Sequence, residues 1–203
     1  MKTSAQTLPR KLPSQARAEA TVGAILEAAA RILESQGLDG FNTNRVAEVA
    51  GVSVGSLYQY FPHKHALVAA LSERAMRHRV AALRGAVAKA RGKPLAHGVR
   101  ALVRAAVEQQ FEAPRLANAL DYMERQLPLA EQQSALQSEL LLVLVGFLAE
   151  HRGEVRGELA TVARDLQTIA KALIDGAAAA GETNLPALRK RLERAALAYL
   201  VSG

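Results

Sequence analysis

The reactive side chains of this 203-residue sequence are poorly spaced for catalysis. Cysteine is absent, which excludes disulfides, a thiolate nucleophile and cysteine-ligated zinc or iron-sulfur centres. His63 and His65 stand two residues apart, the wrong spacing for two metal ligands on one helix face, and read as surface histidines before they read as a metal site. Glu108 and Glu112 share a helix face without an acid or base to pair with, and read as solubilising charges. No glycine-rich phosphate loop or nucleophile motif is present. The expectation is a protein with no catalytic residues, no metal and no cofactor. A different chemistry is concentrated between Thr43 and Lys64. Val54, Gly55 and Ser56 are small, and at the start of a helix they would let its backbone approach base edges in the major groove of DNA. One turn on, Gln59 can pair bidentately with adenine, while Val54 can offer a methyl contact to thymine. Tyr58 and Tyr60 can reach phosphates at the groove edge, Lys64, by itself an ordinary solvated charge, can add a cation there in this context, and Thr43 at a second helix start suits another phosphate. Asn44 and Arg45 extend that surface to backbone or base.

Each of these residues also has a plainer use. Ser53 is a helix cap first and a DNA contact second. Tyr58 and Tyr60, at i and i+2, cannot face one way, so one is expected to be partly core, with Tyr60 the surer phosphate contact. Leu57 and Phe61, at i and i+4, are expected in the core between helices.

To position such side chains the chain must build short, well-capped helices. Half the residues are hydrophobic but only 4% aromatic, and Ala and Leu outnumber Val and Ile, the bias of packed helices. Residues 1–13 have two prolines around Arg10 and Lys11 and no periodic pattern, and are expected to form a flexible basic arm. From Ser14, a plausible cap, apolar residues at Val22, Ile25, Leu26, Ala29, Ile32 and Leu33 predict an amphipathic helix ended by Gly37. Asn42 can cap a helix from Thr43 to Ala50, stopped by Gly51. Ser53 can cap another through Tyr60, and Pro62 opposes its continuation by disfavouring helical geometry at Phe61. Two short helices about three residues apart are a helix-turn-helix.

Charge divides the chain in the same place. Residues 1–91 carry all of the net charge of +7, and residues 92–203 balance to zero. A basic segment joined to a neutral one suggests that the first meets a polyanion. Its cations are spread over an arm and several short segments, unlike a membrane-surface helix, so nucleic acid is favoured. The longest uncharged stretch, Val49 to His63, is too short to span a bilayer, and the first twenty residues lack the apolar run of a secretory signal. A cytoplasmic location with no membrane partner is expected.

The run Asn42 to Lys64, NTNRVAEVAGVSVGSLYQYFPHK, resembles the DNA-binding signature of TetR-family transcriptional regulators. Its Val-Ala, Ala-Gly-Val-Ser, Gly-Ser-Leu-Tyr and Tyr-Phe elements stand in the expected order over about a quarter of the chain. The resemblance implies an all-α fold of about nine helices: a three-helix N-terminal domain with the helix-turn-helix, then a helical ligand-binding and dimerisation bundle. It also implies a homodimeric repressor that binds a (pseudo)palindromic double-stranded operator and is released by a small-molecule effector. Many relatives carry a polar or basic residue where Val54 stands and an acidic one where Arg45 stands; Arg45 favours a phosphate contact instead. The expected domains are 14–62 for DNA binding, a connecting helix over 63–91, and 92–203 for effector binding and dimerisation.

The neutral part reads as five helices, about Pro94 to Glu112, Pro114 to Gln126, Pro128 to Glu150, Glu154 to Ala180 and Pro186 to Val201. Leu140 to Ala149 is apolar on nearly every side, which predicts the centre of the bundle. Stripes at Val162, Leu166, Ile169 and Leu173, and at Leu188, Leu192, Ala196 and Tyr199, can pack within the chain or against a second copy, and are the candidate dimer interface. Leu102, Ala106, Phe111, Met123 and Phe147 are candidate effector-lining residues, with Gln110 and Tyr122 to orient a polar end; each also reads as plain core. The cavity would suit a mainly apolar ligand. Two other classes share parts of this pattern: a helical interaction protein with a basic end, and an enzyme on a helical scaffold.

Overall fold

Caps and left-handed glycines punctuate the helices of the first half. The structure is a computed structural model that describes residues 13–124 and 130–202, with side chains over 15–124 and 135–201. The expected arm, the side chain of Ser14 and the expected helix start at Pro128 lie outside these limits. The described residues are helical with no strand, in two units divided between Leu71 and Ser72.

In the first unit, α1 (Pro13–Gln36) ends at Gly37, whose φ of 69° is a left-handed turn that a side chain would strain. Its buried face is Ile25, Leu26, Ala28, Ala29, Ile32 and Leu33, the predicted stripe with Ala28 added and Val22 left half-buried. The Asn42 side chain accepts the Arg45 amide at 2.9 Å to start α2 (Thr43–Ala50). The Gly51 amide donates to the Glu48 carbonyl at 3.1 Å and that of Val52 to Ala47 at 3.0 Å, a paired closure that ends it. Ser53 caps α3 (Val54–Tyr60) by accepting the Ser56 amide at 3.0 Å, and Phe61 leaves helical geometry ahead of Pro62. Leu57 and Phe61 are buried as expected, with Phe41, Val46, Ala47 and, from the first turns of α4 (Lys64–Ala90), Leu67, Val68 and Leu71.

The second unit holds the rest of α4 and five further helices: α5 (Leu95–Glu112), α6 (Pro114–Glu124), α7 (Ala130–Glu150), α8 (Leu159–Ala179) and α9 (Leu185–Ser202). Its core is built from Leu95, Val99, Val103 and Val107 of α5, Phe147 and Leu148 of α7, Val162, Ala163, Ile174 and Ala177 of α8, and Leu188, Leu192 and Leu200 of α9. Gly98 makes room for α7: a Cβ there would lie 2.2 Å from the Phe147 ring.

Several expectations change here. The run Leu140 to Ala149 is not central, because α7 packs by one side: Leu148 is buried while Leu142 is 70% exposed, with Gly146 and Ala149 exposed beside it. Helix α8 starts five residues later than expected, because Gly157 adopts φ 89° and Glu158 accepts the Ala160 and Thr161 amides as its cap. Val162, Leu188 and Leu192 are filled by their own chain's core, which removes them from a surface a partner could meet. Leu166, Leu173, Ala196 and Tyr199 are half-buried and pack against that same core, and Ile169 is half-buried.

Candidate nucleic-acid interface

Helix α3 turns one of its seven residues inward. Leu57 is fully buried, whereas Val54, Gly55, Tyr58, Gln59 and Tyr60 are exposed and Ser56 is half-buried. The helix therefore presents a small-residue start, Val54-Gly55-Ser56, followed by a polar turn, the profile a groove-reading helix requires. Gly55 is the informative residue. Its φ is not left-handed, and a Cβ there would meet only Ser53 Oγ at 3.9 Å. Among the described residues nothing is displaced by a side chain at this position, and its absence leaves the backbone of the first turn of α3 open.

The expectation that one tyrosine is partly core is corrected: Tyr58 is 45% exposed and Tyr60 37%. A seven-residue helix has room for Leu57 and the following Phe61 on its inner side and no more. Tyr58 instead crosses to α2, where its hydroxyl lies 3.1 Å from Thr43 Oγ1. The hydroxyls of Ser53 and Ser56 are 2.8 Å apart, so the cap and the first turn of α3 share one hydrogen-bond pair.

On α2, Asn44 and Arg45 are exposed and Thr43 is half-buried. Arg45 Nη1 donates to Glu48 Oε2 at 2.7 Å, an exposed pair of the kind that contributes little to stability and exchanges readily with another anion. Lys64, at the start of α4, donates to the Phe41 carbonyl at 3.2 Å with its ammonium 5.0 Å from the Phe41 ring centre. The structure thus brings Thr43, Tyr58, Lys64 and Phe41 to the start of α2, and Val54, Gly55, Ser56, Gln59 and Tyr60 to α3.

Sequence reasoning missed Phe41. Its signal was an apolar residue just before a helix cap with another, Val46, on the fourth helical position, the spacing of a hydrophobic staple; both are buried. Glu48 as partner of Arg45 was also missed, although i and i+3 is a pairing distance.

Of the expected effector-lining residues, Phe147 and Met123 are buried, and Leu102, Ala106 and Phe111 are half-buried against the core of the second unit. Gln110 is buried and its Nε2 donates to Asn118 Oδ1 at 3.4 Å. Tyr122 is 50% exposed, which corrects its placement inside the bundle: on α6 it faces outward while Ala119, Leu120 and Met123 take the inner side. Among the described residues no helix is long and apolar enough to cross a membrane.

Comparison with known proteins adds to this geometry. A family model described as bacterial regulatory proteins, tetR family, matches residues 25–71, and one described as tetracyclin repressor-like, C-terminal domain, matches residues 94–200. An uncharacterised HTH-type transcriptional regulator of Bacillus subtilis, YvdT, is 33% identical over 61 residues, 30% of this chain and 31% of that protein. A Rhodococcus protein of unknown function is similar in fold, with a TM-score of 0.72 and 25% identity over 89% of this chain and 95% of the other. The fatty acid degradation regulator FadR of Bacillus halodurans gives a TM-score of 0.72 at 20% identity, covering 88% and 98%.

Proposed function

Since the chain belongs to the tetR family of bacterial regulatory proteins and is a DNA-binding transcriptional regulator, we propose that it works as a homodimeric repressor. It binds a (pseudo)palindromic operator, leaves it on binding a small, mainly apolar molecule, and carries out no catalysis. The observation that carries the DNA-reading half is the exposed face of the capped helix α3, where Leu57 turns inward and Val54, Gly55, Tyr58, Gln59 and Tyr60 stand outward behind a small-residue start. Val54 and Gln59 are the base-reading side chains, the first through its methyl groups and the second through its amide. Ser53, Ser56, Tyr60, Asn44, Arg45 and Thr43 with the α2 amides meet sugar and phosphate.

Two subunits are needed because one seven-residue helix reads few bases, and a two-fold dimer addresses half-sites ~34 to 36 Å apart or multiples of it. With Val162, Leu188 and Leu192 committed to the core, Ile169 becomes the centre of the interface, flanked by Leu166, Leu173, Ala196 and Tyr199. The effector reading rests on Leu102, Ala106, Phe111, Met123 and Phe147, with Gln110 as its polar group. Ligand releases DNA by favouring a conformation whose two α3 helices no longer match the half-sites, so operator and effector must weaken each other by the same factor.

The test is a binding titration against a duplex enriched by the protein from a random-sequence pool. The expected result is affinity that falls linearly with salt on logarithmic axes, and preference for an inverted repeat. Ile169→Arg should leave the helical signal intact and give monomers with weak operator binding; dimers that persist would remove this interface.

A further inference from the structure

The cations that make the chain basic are not on its reading helices. Residues 1–62 hold six Lys or Arg against five acids, whereas residues 63–93, which are α4 with the turns at its two ends, hold eight against Glu73 alone. One of the eight, Lys64, stands beside the start of α2. The next nine residues hold no Lys or Arg, and Arg74 follows about 15 Å along the helix axis. That gap exceeds the ~8 Å over which exposed charges act at physiological salt, so the cations beyond it add little to the field at the half-site.

They form a surface of their own. Arg74, Arg77, Ala81, Arg84, Ala88 and Arg91 follow at steps of three and four, share one side of the helix and are all exposed. The opposite side is fixed, because Val80 and Leu83 are buried with Leu140 of α7 and packed by Leu102, Ala105 and Ala106 of α5. Arg77 bonds to Glu73 at 2.6 Å, Arg84 to Glu139, and Arg91 to Glu150 at 3.4 Å, yet each arginine side chain stays more than half exposed. Such pairs contribute little and yield to another anion. The stripe carries no large apolar residue, which a membrane-surface helix needs, and its planar guanidinium groups match phosphate oxygens in pairs. From Arg74 to Arg91 is about 25 Å, more than the ~12 Å width of a major groove, so the stripe reaches phosphates on both rims.

We propose that this face of α4 binds a second DNA duplex through its phosphates, without sequence preference, while the reading helices hold the first. This rests on the DNA-binding reading above and adds a separate surface to it.

The experiment loads the full chain on an immobilised duplex that the wild type has enriched from a random pool, then adds a labelled duplex of unrelated sequence over a salt series. The wild type should retain the labelled duplex, and retention should fall steeply with salt. With Arg74→Gln, Arg77→Gln and Arg84→Gln together, the immobilised duplex should bind as before, while affinity for the second drops about tenfold and its salt slope by about 2 to 3. Arg77→Gln alone, whose ionic partner Glu73 lies on the same helix, should lower that slope by about 0.9. Arg115→Gln, Arg156→Gln and Lys190→Gln remove the same charge from other exposed positions and should leave retention near wild type. Retention unmoved by the α4 substitutions, an equal loss in the charge-matched variant, or loss of both duplexes together overturns the proposal. Competition by polyglutamate equal to that of unlabelled duplex would mean that any polyanion is accepted, and overturns it as well. A wild type that enriches a duplex but retains no second one overturns this proposal alone; a wild type that enriches none removes the DNA-binding reading beneath it.

Discussion

Helices α2 and α3, of eight and seven residues, differ from α8 and α9, of 21 and 18, in what fixes them. A helix of two turns is unstable alone, so each of the short pair carries a side-chain cap at its start and a defined stop. Their surface is specified residue by residue: Leu57 inward, Gly55 open, Tyr58 tied to Thr43. The long helices draw their stability from packing, and their alanine-rich faces leave several rotations nearly equivalent in apolar area. The lesson is that a reading surface is written locally, whereas a core or an interface is decided by which neighbour arrives.

The strongest way to break the comparison is to damage each core. Leu57→Ala in α3 and Leu192→Arg in α9 should each destabilise by about 2 to 5 kcal/mol, the first by a cavity and the second by burying an unpaired charge. Denaturant unfolding followed by circular dichroism should detect both. A Leu192→Arg protein that is fully folded but monomeric would return that residue to the interface.

Removing one cap from each class sharpens the contrast. Ser53→Ala should cost about 1 kcal/mol and weaken duplex binding, because α3 has little else to hold its first turn. The Glu158 cap of α8 should affect stability alone. The Thr161 hydroxyl, then the amides of Ala160 and Thr161, hold its carboxyl at about 2 against an ordinary 4.5. A lowered value means that the carboxylate's contribution is complete above pH 4.5 and is lost as pH falls toward 2. Glu158→Gln should therefore lower Tm at neutral pH, with the gap to wild type closing between those values and DNA affinity unchanged.

Gln59→Ala should have the narrowest effect, removing about 1 to 3 kcal/mol of discrimination at one base pair and almost nothing on sequences that lack the preferred base. Repeating the pool enrichment with the variant checks this: one base position should lose its preference while the others persist.

What was legible in the sequence follows the same division. Asn42, Gly51, Ser53 and Pro62 predict both short helices to the residue, since caps and breakers act through their immediate neighbours. The exposed face of α3 was legible for the same reason, except that both tyrosines point outward. The start of α8 was misplaced because Glu154 and Glu158 both resemble a helix start, and the left-handed turn at Gly157 decides between them. The exposure of Leu142 and the burial of Leu192 were not legible, since an apolar residue carries no mark of which neighbour covers it. Phe41 could have been found from its staple spacing, but its carbonyl bond to Lys64, 23 residues away, could not.

The central claim is that the start of α3 is kept small for DNA and not for the fold, and Gly55→Ala tests it most directly. Alanine in this first turn should leave stability unchanged or raise it by about a few tenths of a kcal/mol, since its Cβ meets only Ser53 Oγ at 3.9 Å. The account predicts opposite signs in one preparation: Tm equal to or above the wild type, and affinity for the enriched duplex about tenfold weaker, ~1.4 kcal/mol. An affinity equal to or stronger than the wild type, in a protein at least as stable, would contradict it.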